Sequence, residues 1–202
     1  MKIYPELHKL HIGTEDIERI GSGCKLEYFK FVGMKIDEYL TWDYHIKHIE
    51  NKVSSANFAL NRTKHLLPSN VRKLVYNSLV KSHIEYGIIA YGGVEKCRLT
   101  RLRNLQKRAV RTVALKSNLS HTNPTFGNLE LLKFDDLYKL NAGIFLFKYN
   151  QLKLPISFAN MFKTFPEPNR TCNFTLEQTK QKSLHTFPKV ALQRVWNNFS
   201  IE

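Results

Sequence analysis

Paired carboxylates are the residues of this chain whose types and spacing could support metal-dependent chemistry. Asp135 and Asp136 are adjacent, and two neighbouring carboxylates can hold Mg²⁺ for phosphoryl or nucleotidyl transfer when they project from a rigid strand turn. They precede Leu137 and Leu140 at helical spacing, which is typical of acidic residues in the first turn of a helix. We therefore predict a structural role for this pair.

Histidines are the second group that could bind a metal. His45 and His48 lie three residues apart on a predicted helix, but no third ligand follows nearby, and zinc sites take three or four protein ligands. His121 lies in SHTNP, where capping or turn bonding explains it. The chain contains no GxSxG, HExxH, P-loop or GxGxxG motif. We predict no catalytic residue, no metal site and no cofactor, so the chain alone is not an enzyme.

The stretch CRLTRLRNLQKRAVRTVALK, residues 97–116 and here called the basic helix, predicts a different chemistry. No Asp or Glu occurs from residue 96 to 129. On a helix its leucines and its arginines occupy different faces, and the planar guanidinium of arginine binds two phosphate oxygens at once. We therefore predict a polyanion-binding surface made of Arg98, Arg101, Arg103, Lys107, Arg108, Arg111 and Lys116.

Two structural alternatives exist for the basic helix. It could be a solvated face that keeps the protein soluble, although such faces usually mix both signs of charge. It could lie on a membrane surface, although its apolar face is needed for helix packing. The charge of the whole chain favours a polyanion as the binding partner, because 31 Lys and Arg against 17 Asp and Glu give a net charge of +14. Contacts to a phosphate backbone would carry no sequence preference.

The spacing of the cysteines and the hydropathy of the chain indicate the cellular compartment of the protein. The three cysteines are far apart and form no CxxC pair, which fits a reducing compartment. The first 20 residues contain no apolar signal-peptide core, and no stretch approaches 18 apolar residues. We expect an intracellular protein, in the cytoplasm, the nucleus or both, with no membrane partner.

Hydrophobic periodicity predicts a mainly α fold. A strand from Leu26 to Ile36, in which Val32, Met34 and Ile36 alternate with Lys35 and Asp37, ends a β-rich segment of residues 1–40. Thr41 is the expected N-cap of the first long helix. Its apolar positions step by three and four and are Trp42, Ile46, Ile49, Val53, Ala56 and Leu60.

Further helices follow, and the chain then changes character. We expect helices after Ser69, from Arg98 to Leu115 and from Asp135 to Tyr149. Residues 155–202 are rich in Pro, Asn, Lys and Thr, which predicts a poorly ordered polar tail with a short helix from Lys189 to Phe199. The expected fold is thus a short N-terminal β-hairpin or strands, a helical bundle and a tail.

Several segments resemble one family in the same order. FKFVGMKIDEYLTWDYHI, residues 29–46, looks like the F-L-G-V-x-I-D-x-x-L-x-W-x-x-H-I motif that follows the catalytic palm in reverse transcriptases of non-LTR retrotransposons, especially the jockey-like group. The residues that carry it are Phe31, Gly33, Ile36, Asp37, Leu40, Trp42, His45 and Ile46. LNRTKHLLPSNVRKLVYNSLVKSHIEYGIIAYGG, LRNLQKRAVRTVALKSNLSHTNPTF and LELLKFDDLYKLNAGIFLFKYNQLKLP are similar to the stretches that follow, and PKVALQRVWNNF is a looser match.

The resemblance implies an organisation and a function. Residues 1–40 would be the last palm strands, 41–154 the helical thumb and its extension, and 155–202 a polar tail. A thumb holds template and primer, so the implied partners are an RNA, DNA or RNA–DNA duplex backbone and the missing palm and fingers. The family's catalytic carboxylates lie in an upstream Asp motif and an aromatic-x-Asp-Asp hairpin that this sequence lacks, so Mg²⁺ would belong to the full-length polymerase.

Two other hypotheses remain open at this point. The chain could be a helical interaction module, co-opted by a host, whose basic face binds an acidic protein partner. It could also be a decayed element without a function. Salt dependence separates duplex binding from the first alternative, because displaced counterions make phosphate binding steeply salt-dependent.

Overall fold

A two-stranded hairpin leads into helices that pack around an apolar core. The computed structural model describes residues 27–158, 161–162 and 188–198. The elements are β1 (Phe29–Phe31), β2 (Met34–Ile36), α1 (Asp43–Thr63), α2 (Ser69–Tyr76), α3 (Ser82–Glu85), α4 (Ile88–Tyr91), α5 (Thr100–Val113), α6 (Asn123–Asn128), α7 (Phe134–Asn150) and α8 (Pro188–Asn197). A π-helical turn, Asn77–Lys81, joins α2 to α3, and a 3-10 turn, Ile156–Phe158, follows α7. The predicted mainly α fold with an N-terminal hairpin is confirmed.

The hairpin corrects the prediction of one strand from Leu26 to Ile36. Val32 and Gly33 both have positive φ, 45° and 78°, as the two central residues of a type I′ hairpin turn require. The chain therefore reverses there, and β1 pairs with β2 in antiparallel register. The expectation that Val32 alternates into the core with Met34 and Ile36 is wrong, because Val32 lies in the turn and is 66% exposed.

Asp37 caps the start of α1 from a distance. The strand alternation predicted that the side chain of Asp37 faces away from the core, but it is buried. Its carboxylate accepts hydrogen bonds from the backbone N–H of Thr41 (2.9 Å), the hydroxyl of Thr41 (2.8 Å) and the backbone N–H of Trp42 (3.0 Å). Burial raises the pKa of Asp37, but these hydrogen bonds outweigh it and hold the pKa below its ordinary value. The cap position is Trp42, with φ of 65° and no capping side chain, so Thr41 is not the N-cap.

Helices α1 and α5 lie side by side and run in the same direction. Asn57 donates to the backbone oxygen of Leu105 at 3.0 Å midway along the pair. Arg72 donates to carbonyls at the C-terminal ends of both helices, those of Lys64 and Val113. All six apolar positions predicted for the stripe of α1 are buried. The apolar face predicted for α5 is also confirmed, since Leu99, Leu102, Ala109, Val110 and Val113 are buried and Leu105 is partly buried.

The short helix predicted inside the tail is confirmed as α8, which packs on α7 and α4. Its residues Ala191 and Leu192 are buried. Gly93, just after α4, permits the close approach, because a Cβ added there would lie 2.6 Å from the Cβ of Ala191. Most of the remaining tail prediction for 155–202 lies outside the described residues.

Candidate nucleic-acid interface

The position of α5 is fixed by a buried glutamine that sequence analysis did not single out. The amide nitrogen of Gln106 donates to the hydroxyl of Tyr76 and to the backbone oxygen of Leu132, both at 3.0 Å. Its oxygen accepts from the backbone N–H of Phe134 at 2.9 Å. One side chain thus ties α5 to α2 and to the start of α7, and the opposite side of α5 is left to its cations.

Two of the predicted cations pair with carboxylates of α1. Arg98 forms an ion pair with Asp43, and this hydrogen bond raises the pKa of Arg98 further. The Nε of Arg101 lies 3.4 Å from the carboxylate of Glu50, whose side chain is only 7% exposed, whereas that of Arg101 is 62% exposed. Burial raises the pKa of Glu50 and the charges of Arg101 and Lys47 oppose this rise. Arg101 therefore neutralises the buried carboxylate of Glu50, while most of the Arg101 side chain is exposed to solvent.

Arg103 and Arg111 hold parts of the fold together. Arg103 contacts both carboxylate oxygens of Asp135, the closest at 2.7 Å, donates to the backbone oxygen of Lys96 at 2.8 Å, and lies over the ring of Phe134. Its side chain is only 19% exposed. The Nε of Arg111 donates to the backbone oxygen of Ser120 at 2.8 Å, which fixes the loop after α5.

The remaining cations of the basic helix are available to a ligand. Arg108 and Lys116 are exposed and Lys107 is partly exposed. Among the described residues, none makes a hydrogen bond or ion pair with these three side chains. The seven residues predicted to bind polyanions therefore fall into two groups. Four arginines have a partner within the protein, and three cations have no partner among the described residues.

A second group of cations lies where the hairpin meets α1 and α3. We call Lys30, Lys35, His48, Lys52 and His83 the hairpin cation cluster. Lys30 and Lys35 are direct cross-strand partners, an arrangement that destabilises a hairpin when both charges have the same sign. The side chain of Lys35 contacts Tyr28, at 3.2 Å from its hydroxyl and 4.3 Å from its ring centre. Burial, followed by the charges of the other four cations, lowers the pKa of His48.

Sequence reasoning missed this cluster because its members come from four elements, β1, β2, α1 and α3. A signal existed, since Lys30 and Lys35 stand symmetrically about Val32-Gly33 and face each other once that dipeptide is taken as a hairpin turn. His48 and Lys52 are also four residues apart on α1, hence on one face. The tyrosine hydroxyl of Tyr86 donates to the backbone oxygen of Val32 and holds the hairpin against the end of α3.

Of the residues considered for metal chemistry, His45 lies in the core and Asp135 pairs with Arg103. His45 is buried, its Nδ1 faces the backbone N–H of Lys35 at 3.5 Å, and its ring packs edge-on against Tyr91. Burial, with smaller contributions from His48 and Lys35, lowers the pKa of His45 to about 4. Asp135 and Asp136 lie in the first turn of α7. Within the part of the chain that the structure describes, no three His, Cys, Asp or Glu side chains are grouped to hold a metal.

The other residues singled out in the motif of residues 29–46 connect the hairpin to the core. Ile36 is partly buried, and Trp42 and Ile46 are buried in the core. Phe31 is 56% exposed on β1, and Leu40, which is also exposed, has a positive φ of 52° in the connection to α1. The motif therefore spans the turn, the cap and the first turns of α1.

An apolar groove of about 490 Å³ lies along α7. Leu140, Ile144 and Phe147 line it and are each about half exposed. Asp136 and Lys139 are its charged lining residues. No described residue of the basic helix contributes to this groove.

Comparison with known proteins gave no match: no family model, no curated protein and no solved structure matched the chain. Among the described residues, none of the helices is both long enough and apolar enough to cross a membrane.

Proposed function

We propose that this chain is a catalytically incomplete part of a non-LTR retrotransposon reverse transcriptase that holds the backbone of a template–primer duplex. The proposed origin rests on the order and spacing of the motifs between residues 26 and 155. The proposed activity rests on one observation: Lys107, Arg108 and Lys116 present positive charge to solvent with no carboxylate of the described chain to neutralise it. A phosphate backbone supplies the missing negative charges.

The two groups of cations have different parts in this proposal. Lys107, Arg108 and Lys116 are the proposed direct contacts, and the hairpin cation cluster is a second contact region. Arg98, Arg103 and Arg111 act mainly through the fold, because their guanidinium groups already bind Asp43, Asp135 and the Ser120 carbonyl. Arg101 combines both roles, since its exposed side chain also neutralises Glu50. The proposed location is the cytoplasm or the nucleus, with the palm and fingers of a complete polymerase as further partners.

The first test is a binding titration with a labelled RNA–DNA hybrid duplex of about 20 base pairs, followed by fluorescence anisotropy at several salt concentrations. We expect the logarithm of the binding constant to fall with the logarithm of salt concentration with a slope of about −3, if three to four phosphates are neutralised. Lys107→Glu with Arg108→Glu should weaken binding at least about 10-fold and make the slope shallower by about 2. A matched control is Lys139→Glu with Lys148→Glu, the same charge change on the exposed side of α7, which should have an effect of about 2-fold or less.

The opposite results would overturn the proposal. A flat salt dependence, or equal losses in the two double variants, would exclude a phosphate-binding role for the basic helix. Binding to an acidic peptide such as poly-glutamate that exceeds binding to duplex at equal charge would favour the co-opted interaction module. Absence of retention of any polyanion at low salt would favour a decayed element. Template-dependent primer extension by the purified chain would contradict the proposed lack of catalysis.

A further inference from the structure

The seam between α1 and α5 carries a row of acidic and polar residues on the α1 side. Asp43, Glu50 and Asn57 are spaced seven residues apart, which is about two helical turns, so they lie along one side of α1. Asp43 forms an ion pair with Arg98. Glu50 forms one with Arg101, and Asn57 donates to a backbone oxygen of α5. The first two arginines of the basic helix are therefore each placed opposite an acid of α1.

The pair of Arg101 with Glu50 differs from the other arginine contacts of the basic helix because it contains no hydrogen bond. The Nε of Arg101 lies 3.4 Å from the carboxylate of Glu50, and no described residue forms a hydrogen bond with either side chain. Arg103, by contrast, donates three hydrogen bonds to the carboxylate of Asp135. A guanidinium has five N–H donors, so Arg101 keeps its donors available to a further anion.

Burial makes the two members of this pair unequal. The side chain of Glu50 is 7% exposed and is held inside the seam, whereas that of Arg101 is 62% exposed. Burial raises the pKa of Glu50, and the charge of Arg101, followed by that of Lys47, opposes the rise. Glu50 therefore depends on Arg101 to remain charged in the seam, and Arg101 gives up this attraction whenever it turns to another anion.

We propose that Glu50 competes with the phosphate backbone for Arg101 and thereby limits the contribution of this arginine to duplex binding. The inference rests on the proposed function and adds a regulating residue to the same site. A phosphate that approaches α5 meets the three unpaired cations of the basic helix without competition. It binds Arg101 only against the attraction of a carboxylate that stays in the seam, so removal of that carboxylate should free one more cation for the ligand.

Four proteins form a cycle that tests this competition: the unmodified chain, Glu50→Gln, Arg101→Gln and the double variant. Binding of the labelled RNA–DNA hybrid duplex is measured by fluorescence anisotropy over a range of salt concentrations. Glu50→Gln should tighten binding about 5-fold and make the logarithmic salt slope steeper by about 1, because one more phosphate is neutralised. Arg101→Gln should change the affinity about 2-fold or less in the unmodified chain, but should weaken binding about 5-fold in the Glu50→Gln background.

A matched control removes the same charge from another ion pair. Glu130→Gln breaks the pair with Lys73, outside the basic helix, and should change the affinity about 2-fold or less with an unchanged salt slope. Glu50→Met, which is also neutral and of similar length, should reproduce the gain of Glu50→Gln. Urea denaturation of each variant shows that the affinities are measured on folded protein.

The results separate a failure of this inference from a failure of the proposed function. A gain in Glu50→Gln no larger than that in Glu130→Gln, or an equal effect of Arg101→Gln in both backgrounds, would overturn the competition and leave duplex binding standing. Weaker binding by folded Glu50→Gln would show that Glu50 positions Arg101 for the ligand, which also overturns the competition. A flat salt dependence of the unmodified chain would contradict the proposed function itself.

Discussion

Replacement of Arg72 should weaken the junction of three helices more than replacement of any exposed arginine. Arg72 is buried, at 8% exposure, and it has no ion pair with a described carboxylate. Its Nε donates to the backbone oxygen of Val113 at 2.8 Å, and one terminal nitrogen donates to the backbone oxygens of Lys64, at 3.2 Å, and Leu67. The last carbonyls of a helix carry partial negative charge, so this guanidinium is held by the C-terminal ends of α1 and α5.

The size of the effect follows from these three hydrogen bonds. A hydrogen bond to a charged group contributes about 1.5–3 kcal/mol, and a buried carbonyl left without a donor costs about 1–3 kcal/mol, less where water enters. Arg72→Met keeps the apolar stem and removes all three donors, so we expect a loss of about 3 kcal/mol in the free energy of unfolding. Arg72→Lys keeps the charge but cannot span three carbonyls, and should lose about half as much.

Urea denaturation followed by circular dichroism measures this loss. For an m value of about 2 kcal/mol per molar urea, Arg72→Met should lower the midpoint by about 1.5 M. The control is Arg62→Met on the exposed side of α1, where the guanidinium lies 5.7 Å from the ring of Phe58. This contact should contribute about 0.5–1 kcal/mol at an exposed site. A midpoint for Arg72→Met within the range of the control would refute the reasoning.

Three further changes have expected outcomes. Gly92→Ala should cost about 2–4 kcal/mol in urea denaturation, because the new Cβ would lie 2.4 Å from the ring of Tyr138 and 2.5 Å from a backbone oxygen, whereas Gly127→Ala, with nothing within 4 Å, should be neutral or slightly stabilising. The pKa of buried His45 is about 4, below the 6.5 of an exposed histidine, so on acidification the unfolded chain binds the proton before the folded chain does. The free energy of unfolding should therefore be highest above pH 6.5 and should fall by about 2–3 kcal/mol by pH 4.5. His45→Met should remove that part of the pH dependence, and an unchanged pH profile would contradict it. Since the pKa of His48 lies below its ordinary value of 6.5, His48 is neutral at neutral pH; duplex affinity should rise as the pH falls below that ordinary value, and His48→Gln should abolish this rise.

Most of the helical core was predictable from the sequence because its signal is local. A helix that buries one face must carry apolar residues three and four positions apart, and the stripe from Trp42 to Leu60 does so and is buried throughout. The hairpin turn was missed because Val32 is an unusual residue for positive φ, so the alternation appeared to continue through it. Asp37 was misplaced for a related reason: the backbone groups that it caps come four and five residues later, beyond any strand pattern.

The candidate site was predictable only in part because ion pairs depend on which helices become neighbours. A helical wheel groups the arginines of α5 correctly, but it does not show that Glu50 stands opposite Arg101 or that Asp135 stands opposite Arg103, 32 residues away. Buried polar contacts of this kind are long-range consequences of packing. The same limitation explains why Gln106, which joins three elements, had no distinguishing feature in the sequence.

The ion pairs of the basic helix determine which of its cations remain unpaired, and they leave the net charge of the chain unchanged. Each pair joins one cation to one anion, so the net charge of +14 must be carried by residues that the pairs leave out. Three arginines of the basic helix are paired with Asp43, Glu50 and Asp135. Within the basic helix, the cations that these pairs and the hydrogen bond of Arg111 to Ser120 leave free among the described residues are Lys107, Arg108 and Lys116. A polyanion that approaches the basic helix should contact those three residues first, because a cation and the carboxylate paired with it together carry no net charge.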